Sequence, residues 1–257
     1  MTLIPLHAFN DNYIWIIKEK DSSQVWAVDP GDADVVLQYC QQEALTLSGI
    51  LITHHHHDHT GGVAELKSHF NCDVFGPEHL SHLVTHPVYE GDSVSIFSRQ
   101  FSVLETPGHT LDHLCYFSSL DTPILLCGDT LFRGGCGRIM EGTPAQMLAA
   151  MNKLAKLPDN TLVYCTHEYT LANYRFAEHL DPNNLILKKT QKICEEKRGN
   201  NQVTLPSEMG LEKATNPFLR TDSTHIIENA AQQLGEAIAQ DPASAFSQVR
   251  RAKDTYG

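Results

Sequence analysis

No apolar run in this chain approaches the roughly 18 residues of a membrane-crossing helix, so a helical membrane protein is excluded. The first fifteen residues carry no basic stretch, and Asn10, Asp11 and Asn12 interrupt their apolar character, so no secretory signal is expected. No C-x-x-C pair is present, and the seven cysteines are scattered and odd in number. That pattern speaks against a disulfide framework or a zinc ribbon and for a reducing, cytoplasmic setting. Basic residues are few: 19 Lys and Arg face 31 Asp and Glu, a formal net charge of −12. Such a field disfavours binding to nucleic acid or to an anionic membrane. No internal repeat or low-complexity tract is visible, and 41% hydrophobic residues exclude a disordered chain, a coiled coil or collagen.

What the chain has in excess is histidine, 15 among 257 residues. Histidine is the commonest metal ligand and the usual proton shuttle. The first two-thirds read as short strands, at 3–8, 13–17, 24–28, 49–53, 73–75, 101–105, 114–117, 124–127 and 161–165, punctuated by Asp29-Pro30-Gly31 and Thr106-Pro107-Gly108. Helices are expected over 33–45, over 60–70 with Thr60 as cap, and over 143–156, where Thr143-Pro144-Ala145-Gln146 forms a capping box. Beyond residue 168 the strand signals stop. Asp181-Pro182 and Asp241-Pro242 read as helix starts and Arg198-Gly199-Asn200 as a stop, giving four or five helices. A mixed α/β domain followed by a small helical one is the expected organisation.

The most informative stretch is Thr53-His54-His55-His56-His57-Asp58-His59, between an apolar strand and a Gly61-Gly62 turn into a helix. In an extended segment His54 and His56 project to one side, and a turn brings Asp58 and His59 round beside them. Imidazoles with a carboxylate suit zinc, iron or manganese. His109, Asp129 and His167 each follow a separate predicted strand, the place where open α/β sheets gather their sites. A lone histidine after a strand is more often structural than a ligand. Several such residues at independent strand ends favour a metal site, and a run this far from either end is not a purification tag.

Thr53–His59 resembles the T-H-x-H-x-D-H signature of the metallo-β-lactamase superfamily, and His109, Asp129 and His167 follow in that superfamily's order. The resemblance implies an α+β fold, an αββα sandwich of two mixed sheets between helices, over residues 1–168, followed by a small α-helical domain over 169–257. It also implies two divalent ions, zinc first with iron or manganese as alternatives. His54, His56 and His109 would hold one, Asp58, His59 and His167 the other, and Asp129 would bridge. His55 and His57 occupy variable positions. Gly135-Cys136-Gly137-Arg138-Ile139-Met140-Glu141-Gly142, Thr166-His167-Glu168-Tyr169-Thr170, Asn216-Pro217-Phe218-Leu219-Arg220 and Arg250-Arg251-Ala252-Lys253-Asp254 are similar to segments of the glyoxalase II family.

That second resemblance extends over the whole chain and implies hydrolysis of S-(2-hydroxyacyl)glutathione thioesters, chiefly S-lactoylglutathione, by a metal-activated hydroxide in methylglyoxal detoxification. Asp58 would orient the attacking oxygen. Arg138, Tyr169, Arg250 and Lys253 would contact glutathione, while Met140 replaces an aromatic contact found in many relatives. From Phe246 on, three basic residues against Asp254 give a locally positive segment suited to an anion. A glutathione persulfide dioxygenase with one iron and a non-enzymatic metal module are the alternative readings. A nuclease lacks the basic stripe it would need. No long apolar surface stretch is evident, so a monomer is the default expectation.

Overall fold

The computed structural model describes residues 1–256. In chain order the elements are β1 (Thr2–Ala8), β2 (Asn12–Lys18), β3 (Gln24–Val28), α1 (Ala33–Gln42), β4 (Thr46–Leu51), α2 (His57–Thr60), α3 (Val63–Phe70), β5 (Asp73–Gly76), β6 (His86–Pro87), β7 (Ser93–Ile96), β8 (Arg99–Glu105), β9 (Leu114–Ser118) and β10 (Ile124–Gly128). They continue with β11 (Leu131–Phe132), β12 (Gly135–Cys136), α4 (Pro144–Leu154), β13 (Leu162–Cys165), α5 (Thr170–Leu180), α6 (Leu185–Gly199), β14 (Ser207–Glu208), α7 (Met209–Thr215), α8 (Thr224–Leu234) and α9 (Pro242–Thr255). By backbone contacts the chain divides into two compact units. One comprises Met1–Glu105, Asp112–Asp121 and Leu125–Gly128; the other comprises Thr106–Leu111, Thr122–Ile124 and, of the described residues, 129–256.

In the first unit β1 to β6 form one mixed sheet in sequence order, antiparallel through β1, β2 and β3 and parallel from β3 onward. A strand buried on both faces reads as a continuous apolar run, as Tyr13–Ile17 does. Ile14, Ile16, Val25, Ala27, Ile50 and Val74 pack with Val36, Val63 and Leu66 of α1 and α3 in one core. The alternate residues Tyr13, Trp15, Ile17, Val28 and Leu51 are equally buried. β7, β8 and β9 form an antiparallel meander in a second sheet. The buried Tyr116 hydroxyl of β9 donates to the Ile52 carbonyl (2.7 Å), and the Leu114 amide donates to the Thr53 carbonyl (2.8 Å). These bonds fasten the start of the histidine motif.

In the second unit, the helix over 144–154 begins with the expected capping box: Thr143 Oγ1 accepts from the Gln146 amide, and the Gln146 side chain accepts from the Thr143 amide. Asp241 caps α9 as expected, with Ala245, Phe246 and Val249 buried. Three local expectations are corrected. Thr60 ends the four-residue helix α2 instead of starting α3, because its hydroxyl donates back to the His56 carbonyl (3.0 Å). Asp181 ends α5; α6 begins after Asn184, whose side chain accepts from the Leu187 amide. Strand pairing does not stop at residue 168, since β14 pairs with β13. All seven cysteines are buried free thiols. Among the described residues no helix is long and apolar enough to cross a membrane.

Candidate metal centre

The residues of the first unit's motif begin two positions beyond β4, and their orientation is set by one buried carboxylate. Asp29 accepts from the Thr53 amide (2.7 Å) and Thr53 hydroxyl (2.7 Å), and its Oδ2 lies 3.1 Å from His59 Nδ1. Since the Thr53 hydroxyl proton goes to Asp29, the same oxygen accepts from His54 Nδ1 at 3.0 Å. Both imidazoles therefore carry their proton on Nδ1 and present Nε2 as a lone pair. Hydrogen bonds of this kind fix the tautomer and raise the basicity of metal-ligating histidines.

The presented atoms converge within that unit. His54 Nε2 and His56 Nδ1 are 3.0 Å apart, and His59 Nε2 lies 3.4 Å from Asp58 Oδ2. Asn12 Nδ2 donates to that same Asp58 oxygen (2.9 Å). His55 turns away to Asp112, with Nδ1 2.9 Å from its carboxylate. Gly31 is required at its place, since a Cβ there would lie 1.9 Å from the Asp58 carbonyl oxygen.

In the second unit Asp129 divides its two oxygens between two histidines. Oδ2 lies 3.5 Å from His109 Nε2, and Oδ1 lies 3.4 Å from His167 Nε2. Thr166 Oγ1 donates to Oδ1 (2.6 Å) and locks the carboxylate plane. His109 Nδ1 donates to the Arg138 carbonyl (2.8 Å), which leaves its Nε2 as the lone pair. All three side chains are buried. A carboxylate offering one oxygen to each of two imidazole environments has the form of a bridging ligand.

The donor set fits divalent cations. Tetrahedral coordination at about 2.0–2.1 Å separates neighbouring donor atoms by about 3.3 Å, and the four donor pairs above are 3.0 to 3.5 Å apart. Among the described residues are groups of histidine and aspartate side chains able to hold a metal ion.

The four residues expected to meet substrate lie in the second unit and differ in exposure. Arg138 is open to solvent, its Nε 3.7 Å from Asp254 Oδ1. The Tyr169 ring stacks on His167, with centroids 4.7 Å apart and planes within 6°, and meets Phe132 edge-on. Arg250 is buried: Nη1 donates to the Cys136 carbonyl (3.0 Å), Nη2 to Asp254 (2.9 Å), and the guanidinium lies over the Phe218 ring. Lys253 donates to the Ala172 carbonyl (3.1 Å) and lies over Phe176. Burial, helped by the charges of Arg250 and Arg175, lowers its pKa to about 8. Met140 is exposed. Sequence reasoning missed Asp29 and Asn12. Asp29 had the same signal as the ligands, an aspartate at a strand end, and was read as a turn residue.

Residues 23–167 match the model of the metallo-beta-lactamase superfamily. The solved structure of ETHE1 from Myxococcus xanthus superposes with a TM-score of 0.67 over 98% of both chains, at 23% identity. The class is thereby defined: a metallo-β-lactamase fold, with two mixed sheets and a C-terminal helical domain. Residues 168–256 match a second model, described as hydroxyacylglutathione hydrolase C-terminus. A hydroxyacylglutathione hydrolase of Marinomonas sp. (strain MWYL1) is 64% identical over 256 residues, covering 100% of each chain. One of Nitrosomonas eutropha (strain DSM 101675 / C91 / Nm57) is 49% identical over 258 residues, covering 99% of this chain and 98% of the relative. The chain belongs to the hydroxyacylglutathione hydrolase family.

Proposed function

We propose that the chain hydrolyses S-(2-hydroxyacyl)glutathione thioesters, the glyoxalase II step of methylglyoxal detoxification, and that its histidine and aspartate clusters hold two divalent cations for that reaction. Family membership carries the activity. The observation that carries the binuclear reading is Asp129, with one oxygen toward His109 and the other toward His167. His54, His56 and His109 would hold one cation and Asp58, His59 and His167 the other, with Asp129 shared. Zinc suits this donor set first, and iron or manganese also suit it. When bound, a pair of such ions polarises a carbonyl and brings the pKa of water near 7.

The chain's own residues supply orientation and charge. Asn12 holds the Asp58 carboxylate through Oδ2, so that this side chain can orient an attacking oxygen. The leaving group is a thiolate whose conjugate acid has a pKa of about 8.5, so it departs without a dedicated general acid. Tyr169, stacked on His167, and exposed Arg138 form the face offered to glutathione, which carries two carboxylates. Lys253 and Arg250 add positive charge for the same anion, and Arg250 is held by its bonds to the Cys136 carbonyl and Asp254. Functionally the chain divides into a catalytic part over 1–168 and a glutathione-binding helical part over 169–257. His54→Ala and Asp129→Ala should each remove most of the bound metal and most thioesterase activity. Full turnover in either variant refutes the ligand assignment.

A further inference from the structure

Within the second unit, side chains of the helical region grip the β11–β12 hairpin along its backbone. Asn216 Nδ2 donates to the Gly135 carbonyl (2.9 Å) and the Phe132 carbonyl (3.2 Å), and also lies 3.1 Å from Glu212 Oε2. That Glu212 oxygen accepts from the Gly134 amide (2.8 Å), and Arg250 takes the Cys136 carbonyl. Four residues of the hairpin, Phe132, Gly134, Gly135 and Cys136, thus have a backbone group bound by Glu212, Asn216 or Arg250. Glu212 and Asn216 are fully buried. Hydrogen bonds buried in this way are electrostatically stronger than the same bonds in water.

The grip continues toward the metal ligands. After the hairpin the Gly137 amide donates to the Thr130 carbonyl (3.2 Å), and Gly137 sits so near the Asp129 carbonyl that a Cβ would lie 2.0 Å from it. The next residue, Arg138, supplies the carbonyl that accepts from His109 Nδ1. A continuous run of backbone and side-chain bonds leads from α7 to the imidazole of His109. We propose that Asn216 is a positioning residue for the metal centre: it holds the 131–136 hairpin, and through it the loop whose Arg138 carbonyl orients His109. This rests on the ligand role of His109 given above. It makes the helical region part of the support of the metal site as well as a surface for glutathione.

Asn216 also caps the turn after it, its Oδ1 accepting from the Phe218 amide (3.0 Å). Asn216→Ser is therefore the chosen variant, because serine caps nearly as well and is too short to reach the hairpin. Outer partners of metal-bound histidines typically change metal affinity by about 10–100-fold. We expect about tenfold faster metal release to a competing chelator, with KM for the thioester raised more than kcat is lowered. Ile226→Ala, a cavity variant in α8 away from the hairpin, serves as a control of comparable thermal destabilisation and should release metal at the parent rate. Metal release from Asn216→Ser at the parent rate, or equally fast release from Ile226→Ala, overturns the proposal. Hydrogen exchange on metal-free protein separates this proposal from the binuclear reading. Amides over 131–138 should exchange faster in Asn216→Ser whatever the metal content, and unchanged protection there overturns the proposal by itself. A parent protein that binds no metal would overturn the binuclear reading instead.

Discussion

Replacing Asp29 by asparagine keeps shape and volume and removes one acceptor position, which makes it a sharp perturbation of the centre. The carboxylate oxygens serve three donors, the Thr53 amide, the Thr53 hydroxyl and His59 Nδ1. An asparagine amide facing either way sets its NH2 against at least one of them. A hydrogen bond to a charged group contributes about 1.5–3 kcal/mol, and a buried donor left unpaired costs about 1–3 kcal/mol. With the Oδ2-side contacts kept and the Thr53 amide lost, the loss is about 3 kcal/mol, or roughly 6–12 °C in Tm for a chain of this size. The Thr53 hydroxyl and His59 Nδ1 then bond a neutral oxygen in place of a carboxylate, so the His59 tautomer and the Thr53 relay to His54 weaken together and metal affinity should fall about 10–100-fold. Calorimetry on metal-free protein measures the first effect, and chelator competition measures the second. An Asp29→Asn protein with parental Tm and parental metal affinity would refute the argument that this carboxylate sets both imidazoles.

Gly137→Ala should abolish most activity and metal retention, checked by turnover and metal analysis, because its Cβ would meet the Asp129 carbonyl at 2.0 Å. Lys253 has its pKa lowered to about 8, first by burial and then by Arg250 and Arg175. Its positive charge is present below that pH and lost above it, so KM for the anionic thioester should rise between pH 7 and pH 9, and a flat KM profile would exclude a charge role. Arg220→Ala should destabilise by about 3 kcal/mol at pH 7, since it leaves the buried Asp181 carboxylate without its guanidinium partner. Burial alone would raise the Asp181 pKa, but hydrogen bonds from Arg220, Asn184 and His225 outweigh it and hold the group below its ordinary value. Such a carboxylate stabilises above its unfolded pKa of about 4 and loses that contribution as pH falls. The Tm difference between Arg220→Ala and parent should therefore shrink in acid, which a thermal-melt series across pH would show.

Where a residue's fate is fixed by its neighbours in sequence, the chain could be read directly. β3 spans Gln24–Val28 as its apolar run predicts, and the capping box at Thr143 marks the start of α4. His54 and His56 fall on one side because an extended backbone alternates, as their 3.0 Å separation shows. Bonds between distant segments could not be read this way. Thr60 looked like a helix cap until the geometry of α2 gave its hydroxyl the His56 carbonyl. Asp181 looked like a helix start, yet Arg220 and His225, some forty residues on, recruit it to the end of α5. Asp29 passed as a turn residue because Thr53 and His59, its partners, are 24 and 30 positions away. The two-residue strands β11, β12 and β14 carry no periodicity, so the hairpin that Asn216 grips left no strand signal, although Gly135–Gly142 and Asn216–Arg220 stood out as motifs.

On the proposed reading, two cations held by this histidine and aspartate set support thioester hydrolysis. Metal analysis of the purified protein, combined with a spectrophotometric assay on S-lactoylglutathione during stepwise metal removal and return, decides whether it holds. The expected result is two divalent ions per chain, activity lost in proportion to their removal, and recovery on adding zinc, iron or manganese. Undiminished turnover by metal-free protein, or full activity with a single ion per chain, would contradict it.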